Sequence, residues 1–240
     1  HAFHLRVSHA PAAVEAGNRI RELAIAEQRE IDRILHELTD ALRPQCDALE
    51  ASLEALVALD TLAARARYAV AARCTSAPLG ASSEGFAIVD GRHPLLLARG
   101  DDVVPFDLAM LPGERTLLVS GPNTGGKTVL LKALALLSLM AQSGIPAPVG
   151  AESRLAAFDG VFADIGDEQS IEASLSTFSA HLKNLTEIVC DATSESLVLV
   201  DELGSGTDPL EGAALGGAIL ETLTRRGTLT VATTHLGALK

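Results

Sequence analysis

Between Val14 and Leu42 the apolar residues Ile20, Ala24, Ile31, Leu35, Leu38 and Leu42 recur at steps of three, four or seven, with charges between them. That spacing predicts an amphipathic helix. Pro44 interrupts it, and a second run follows with Leu49, Leu53, Leu56, Leu62, Ala66 and Val70 on one side. Two long helices meeting at a proline read as an antiparallel pair. The pair is expected to be a packing stalk, with a partner-binding surface as the alternative. Residues 1–12 show no pattern, and a frayed start is expected there.

Near Ala77–Ser83 the stretch SAPLGASS marks a boundary. It divides a helical segment, 1–80, from a second domain, 81–240. Past it, short β-rich runs occur at Phe86–Val89, Thr116–Ser120, Val161–Ala163, Leu197–Val200 and Leu229–Ala232. Helical patterns separate the later ones, over Lys127–Gln142, Ser179–Cys190 and Pro209–Arg225. Strands alternating with helices predict an α/β fold with a mainly parallel sheet flanked by helices. The unbroken apolar runs LLV and LVLV suit central strands buried on both faces.

Composition narrows the class. Of 240 residues, 48% are apolar and only 3% aromatic, so the core must be built from Leu, Val, Ile and Ala. The first residue is His, which suggests a fragment or a processed product. No run nears the roughly 20 apolar residues of a membrane span; the richest, Ala133–Met140, is too short. Cys46, Cys74 and Cys190 are few and far apart, which suits buried thiols in a reducing cytoplasm rather than disulfides or zinc. Net charge is −12, with 9 Lys/Arg against 11 Asp/Glu in residues 1–80 and 10 against 20 in residues 81–240. A broad phosphate-gripping face would carry a basic surplus. Contacts to DNA or RNA are therefore expected elsewhere or in a local patch.

The chemistry-bearing motifs lie in residues 121–235. Thr116–Ser120 runs into Gly121-Pro122-Asn123-Thr124-Gly125-Gly126-Lys127-Thr128 and then an apolar helix. This is the GxxxxGK[ST] phosphate loop in its strand–loop–helix setting. Its glycines let backbone N–H groups face phosphate oxygens, and the helix adds its positive end. Lys127 would neutralise the β- and γ-phosphates of ATP, and the Thr128 hydroxyl would ligate Mg²⁺. An ordinary glycine turn is the bland alternative. Leu197–Val200 leads into Asp201-Glu202, placing two acids at the strand end where the loop also lies. Asp201 would hold the Mg²⁺ shell, and Glu202 would deprotonate or orient the attacking water. The alternative is a pair of solvated strand-end acids. Asp208-Pro209 should cap and open the next helix. His235, after Thr233-Thr234, is placed to reach the γ-phosphate or the nucleotide edge. Ser176 and Thr177 can cap the helix they begin; the other reading is contact with a γ-phosphate held by a second subunit.

GPNTGGKT, Ser-Thr-Phe178, LVDELGSGTDP, TTH and Gly91-Arg-His-Pro94 together resemble the MutS family of ATPases, within the wider ABC-type class. Thr124, the stretch Asp164–Ser170 and Gly-Thr-Asp-Pro209 resemble its bacterial MutS-two branch, which is linked to suppression of homologous recombination rather than mismatch repair. The resemblance covers about residues 14–240.

It implies a bacterial, cytoplasmic and nucleoid-associated homodimer with two composite ATP sites, turning ATP into ADP. Gly121 to Thr128, Asp201, Glu202 and His235 would act in cis, with Asn123 placing the water or touching phosphate. Ser176 would act in trans. The long helices would carry the change to parts that contact branched DNA. Where relatives stack an aromatic on adenine, this chain has Val103 and Val104, which would make only apolar contact. The branch's nuclease lies outside these residues. A second implied reading is a factor acting on collided ribosomes through rRNA. A transporter subunit would need an LSGGQ-like signature, and this chain has Ser-Leu-Ser-Thr-Phe. A nucleotide-binding module without turnover is opposed by the presence of both Lys127 and Glu202.

Overall fold

The alternation of side chains along one unbroken apolar run, LVLV, builds the centre of the fold; the other, LLV in Thr116–Ser120, is half-buried on an edge strand of its sheet rather than central as expected. In β7 (Leu197–Val200), Leu197 and Leu199 face one way, and Val198 and Val200 the other; all four are buried. Successive strand residues point to opposite faces, so each face of β7 has its own apolar cover. Leu197 and Leu199 join a core with Leu131, Leu134 and Leu137 of helix α4 (Lys127–Gln142). Val198 and Val200 join a second core with Leu185 and Ile188 of α5 (Ser174–Asp191) and Leu223 of α6 (Pro209–Arg226). Burying each of these leucines contributes about 1.5–3 kcal/mol.

The computed structural model describes residues 11–121, 125–166 and 174–239, with backbone only over 174–180. Its elements are, in chain order, α1 (Pro11–Leu42), α2 (Cys46–Ala71), β1 (Leu79–Ala81), β2 (Phe86–Gly91), α3 (Pro94–Arg99), β3 (Phe106–Met110), β4 (Thr116–Ser120), α4, β5 (Leu155–Ala157), β6 (Val161–Asp164), α5, β7, α6 and β8 (Leu229–Thr234). Four strands form one parallel sheet in the order β4-β8-β7-β6. Register pairs Ser120 with Thr234, and Asp164 with Val200. The carboxy-terminal ends of all four strands therefore share one edge. β2 and β3 pair antiparallel, and β1 pairs with β5 in parallel.

The α/β class and the helix-flanked parallel sheet agree with expectation. β1, which lies inside the boundary stretch near Ala77–Ser83, and β3, β5 and α3 go beyond the elements expected from the sequence. His93 is buried and caps α3 by accepting from the Leu96 N–H through Nδ1. Burial pushes its pKa below the ordinary value, and the nearby Lys132 charge adds to this.

Two further expectations need correction. The chain divides into compact units His1–Leu62 and Ala63–Lys240, and in the first the helices do not form an antiparallel pair. Pro44 lies in a 3-10 turn, Arg43–Gln45, and the flanking Leu42 and Cys46 keep right-handed helical angles, so no loop turns the chain back. Proline is tolerated there because a first-turn N–H has no partner to lose. The apolar stripes stay open: Leu35, Leu38, Leu49, Leu53 and Leu56 are 55–62% exposed. The cysteines are also not the buried set expected. Cys46 and Cys190 are exposed, and only Cys74 is partly buried, which raises its thiol pKa. Among the described residues, no helix is long and apolar enough to cross a membrane.

Candidate active site

The shared strand edge gathers the polar chemistry. β4 ends at Ser120 and passes into the glycine-rich loop; its middle residues, Pro122, Asn123 and Thr124, lie outside the described residues. Gly126 ends the loop as the N-cap of α4 at φ 75°, in the left-handed region that glycine enters without steric penalty. Among the described residues, no heavy atom lies within 4 Å of where a Cβ on Gly125 or Gly126 would stand. Lys127 is 6% exposed, and its Nζ donates to the Gly121 carbonyl at 2.5 Å. An ammonium folded back over its own loop, beside a helix amino terminus, offers a cradle for an anion.

Asp201 follows β7. Its N–H donates to the Asp164 carbonyl at 2.9 Å, extending the strand pairing by one residue. Both its carboxylate oxygens accept from hydroxyls: Oδ2 from Thr128 Oγ1 and Oδ1 from Thr233 Oγ1, each at 2.5 Å. The carboxylate is thus fixed between the first turn of α4 and the end of β8. Glu202 takes φ 50°, uncommon for a residue with a side chain. Its N–H donates to Thr233 Oγ1 at 2.8 Å, and its carboxylate Oε1 lies 3.3 Å from His235 Nε2.

The loop after the acids is fastened by backbone packing. Gly204 and Gly212 touch so closely that a Cβ on Gly212 would come within 2.1 Å of the Gly204 carbonyl oxygen. Asp208 caps α6, its Oδ1 accepting from the Leu210 N–H at 2.9 Å and the Glu211 N–H at 3.4 Å, as the Asp-Pro step predicted.

Lys127, Thr128, Asp201, Glu202 and His235 are therefore brought to one edge. Ser176 falls in the first turn of α5, but its side chain lies outside the described residues, as does that of Thr177. Val104 is 84% exposed. Val103 lines a groove with Arg73, Arg92, Leu97 and Pro105, outside the cleft that Asp201 and Glu202 share with Leu203 and Gly204. Two groups have no role in the site from the sequence alone. One is Thr233, whose hydroxyl joins both acids. The other is Asp164, buried at the end of β6, which accepts from Asn184 Nδ2 at 2.7 Å and pairs with His181 Nδ1 at 2.9 Å. A threonine in an apolar strand carries no local signal, and Asp164 meets His181 only through the fold.

The donor set suits magnesium rather than a protein-only metal cage. Among the described residues no cluster of three or more His, Cys, Asp or Glu could hold an ion. Mg²⁺ does not need one, since it keeps several waters and takes one or two protein oxygens together with substrate phosphates. The Thr128 hydroxyl and Asp201 Oδ2 are two such oxygens, adjacent and already oriented.

The family model for MutS domain V matches residues 117–240, just over half the chain and the whole of this edge. The chain belongs to the MutS family. Endonuclease MutS2 of Gemmatimonas aurantiaca is 71% identical over 230 residues, 96% of this chain and 28% of that protein. Endonuclease MutS2 proteins of Pelotomaculum thermopropionicum and Halalkalibacterium halodurans are 55% and 51% identical, each over 95% of this chain and 29% of their own length. These relatives place the chain in the MutS2 branch of the family. It spans less than a third of their length, and its match to MutS domain V takes in the glycine-rich loop from Gly121, both acids and His235.

Proposed function

We propose that this chain is the ATP-binding and ATP-hydrolysing part of a MutS2-type protein. One observation carries the reading: Thr128, next to Lys127 on the phosphate loop, hydrogen-bonds Asp201 on the acid strand at 2.5 Å. Two motifs separated by 73 positions meet at the atoms that a nucleotide and its ion require.

In this reading the loop N–H groups and Lys127 bind the β- and γ-phosphates. Thr128 and Asp201 hold Mg²⁺, which when bound supplies positive charge at the phosphate oxygens. Glu202 accepts a proton from the attacking water or orients it. His235, 3.3 Å from the Glu202 carboxylate, fixes where that carboxylate points. In the full natural-length protein, Glu202→Gln should retain ATP while turnover falls by about 10²–10⁴. Unchanged turnover would remove Glu202 from this role.

The active form is proposed to be a homodimer in which Ser176 completes the partner's site. Ser176→Ala and Lys127→Ala proteins should each be impaired alone. Mixed under conditions of subunit exchange, they should regain activity, because both lesions can fall on one composite site. No gain above the separate variants would contradict the trans role.

The biological reading is a bacterial, cytoplasmic, DNA-binding protein that limits homologous recombination, its clamp closing with ATP. Its DNA-binding part is supported by the likeness to proteins named Endonuclease MutS2. Stimulation of ATP turnover by four-way-junction DNA is expected. Stimulation by ribosomes alone would favour the collision-factor reading instead.

A further inference from the structure

Thr233 sits on β8, the strand between the phosphate-loop strand β4 and the acid strand β7. Its side chain is fully buried. A threonine hydroxyl has one proton to give and two lone pairs to accept with. The proton goes to Asp201 Oδ1 at 2.5 Å, and a lone pair takes the Glu202 N–H at 2.8 Å. The Thr233 carbonyl takes the Leu203 N–H at 2.8 Å. One residue of the neighbouring strand thus grips three consecutive residues of the acid segment.

We infer that Thr233 is a positioning residue for the hydrolytic site, an inference that rests on the function proposed above. Its donated proton occupies Oδ1 of Asp201 and leaves Oδ2, the oxygen facing Thr128, as the one available to an ion. Its accepted bond holds the Glu202 backbone in the left-handed region, which sets where the Glu202 side chain begins. The metal ligand and the base are therefore placed by the same hydroxyl, and their separation is fixed by it.

The adjacent residue provides the contrast. Thr234 is equally buried, but its hydroxyl donates to the Leu203 carbonyl at 3.0 Å and accepts from the Leu236 N–H at 3.1 Å. It touches neither acid. Two buried threonines in sequence thus separate a role in fold cohesion from a role in aligning the site.

The test uses the full natural-length protein and compares Thr233→Val, Thr233→Ser and Thr234→Val, with Glu202→Gln as a control. Binding of a non-hydrolysable ATP analogue is measured in EDTA and in Mg²⁺, alongside kcat and KM for ATP. Thr233→Val should bind the analogue in EDTA about as wild type does, but lose about 10–100-fold of the tightening that Mg²⁺ brings, with a similar loss in kcat. Thr233→Ser should recover both to within about threefold, because the hydroxyl returns. Thr234→Val should keep the Mg²⁺-dependent tightening. If Thr233→Val fails to fold, Thr233→Ala set against Thr233→Ser makes the same comparison. Intact Mg²⁺ tightening and kcat in the variant lacking the hydroxyl, with turnover abolished in Glu202→Gln, would overturn this inference alone. Turnover surviving in Glu202→Gln would remove Glu202 from the base role on which this inference rests, and absence of ATP turnover in the wild type would overturn the proposed function itself.

Discussion

At the amino-terminal end of the sheet, the Asp159 carboxylate accepts from Thr193 Oγ1 at 2.6 Å and from Ser196 Oγ at 2.7 Å. At the carboxy-terminal end, the Asp201 carboxylate accepts from Thr128 Oγ1 and Thr233 Oγ1. Each aspartate has both oxygens engaged by hydroxyls, so hydrogen-bond inventory alone does not tell them apart. Their neighbours do. Both donors to Asp159 belong to the turn that joins α5 to β7, and Asp159 itself is exposed. Asp201 is buried, its Thr128 donor stands in the first turn of α4 next to a buried ammonium, and a second acid follows it in a left-handed conformation. A carboxylate that only ties a turn is finished when its hydrogen bonds are made. One that shares a helix amino terminus with a lysine has a bond to exchange when a cation and phosphates arrive.

That contrast can be broken most forcefully at Lys127. Lys127→Ala should weaken ATP binding by about 100-fold, because it removes a charged hydrogen-bonding partner from the cradle. Wild-type affinity by equilibrium titration would put the phosphates elsewhere. Next come the paired substitutions. Asp201→Asn should lower turnover by about 10–100-fold with the fold retained, whereas Asp159→Asn should leave turnover per folded molecule unchanged. In urea denaturation Asp159→Asn should cost about 0.5–1.5 kcal/mol, the usual net worth of a hydrogen bond. A turnover loss in Asp159→Asn equal to that in Asp201→Asn would erase the distinction between the two ends.

The smallest effect is in acid. The Thr193 hydroxyl first, and then that of Ser196, hold the Asp159 pKa below its ordinary value of 3.8. A group whose pKa is depressed by folding stabilises the fold above its unfolded pKa and loses that contribution as pH falls. The stability gap between wild type and Asp159→Asn should therefore be full near neutrality and shrink as pH drops below about 3.8. A gap independent of pH would mean that the carboxylate charge contributes nothing there.

The segments legible in the sequence were those with a strong local signal. LVLV gave β7 to the residue, and the strand–loop–helix setting of Gly121–Thr128 gave both β4 and α4. Three-residue strands such as β1 and β5 are too short for a period to show, and they exist because they pair with each other. The helix pair was misjudged because periodicity reports that a face is apolar without naming what covers it. Pro44 was read as a reversal, although it can also sit in a helical turn without bending the chain back. Lys127, Asp201 and Glu202 were visible through their motifs. Thr233 was not, since its importance depends on β8 lying between β4 and β7, an order that only the fold supplies.

The central claim is that the glycine loop and the acid strand share one magnesium–nucleotide site. A crystal structure of the full natural-length protein with Mg²⁺ and a non-hydrolysable ATP analogue tests it most directly. The account predicts that the 2.5 Å bond between Thr128 and Asp201 opens to admit the ion, with Lys127 leaving the Gly121 carbonyl for the phosphates. Triphosphate bound away from Lys127, with the Thr128–Asp201 bond still closed, would contradict it.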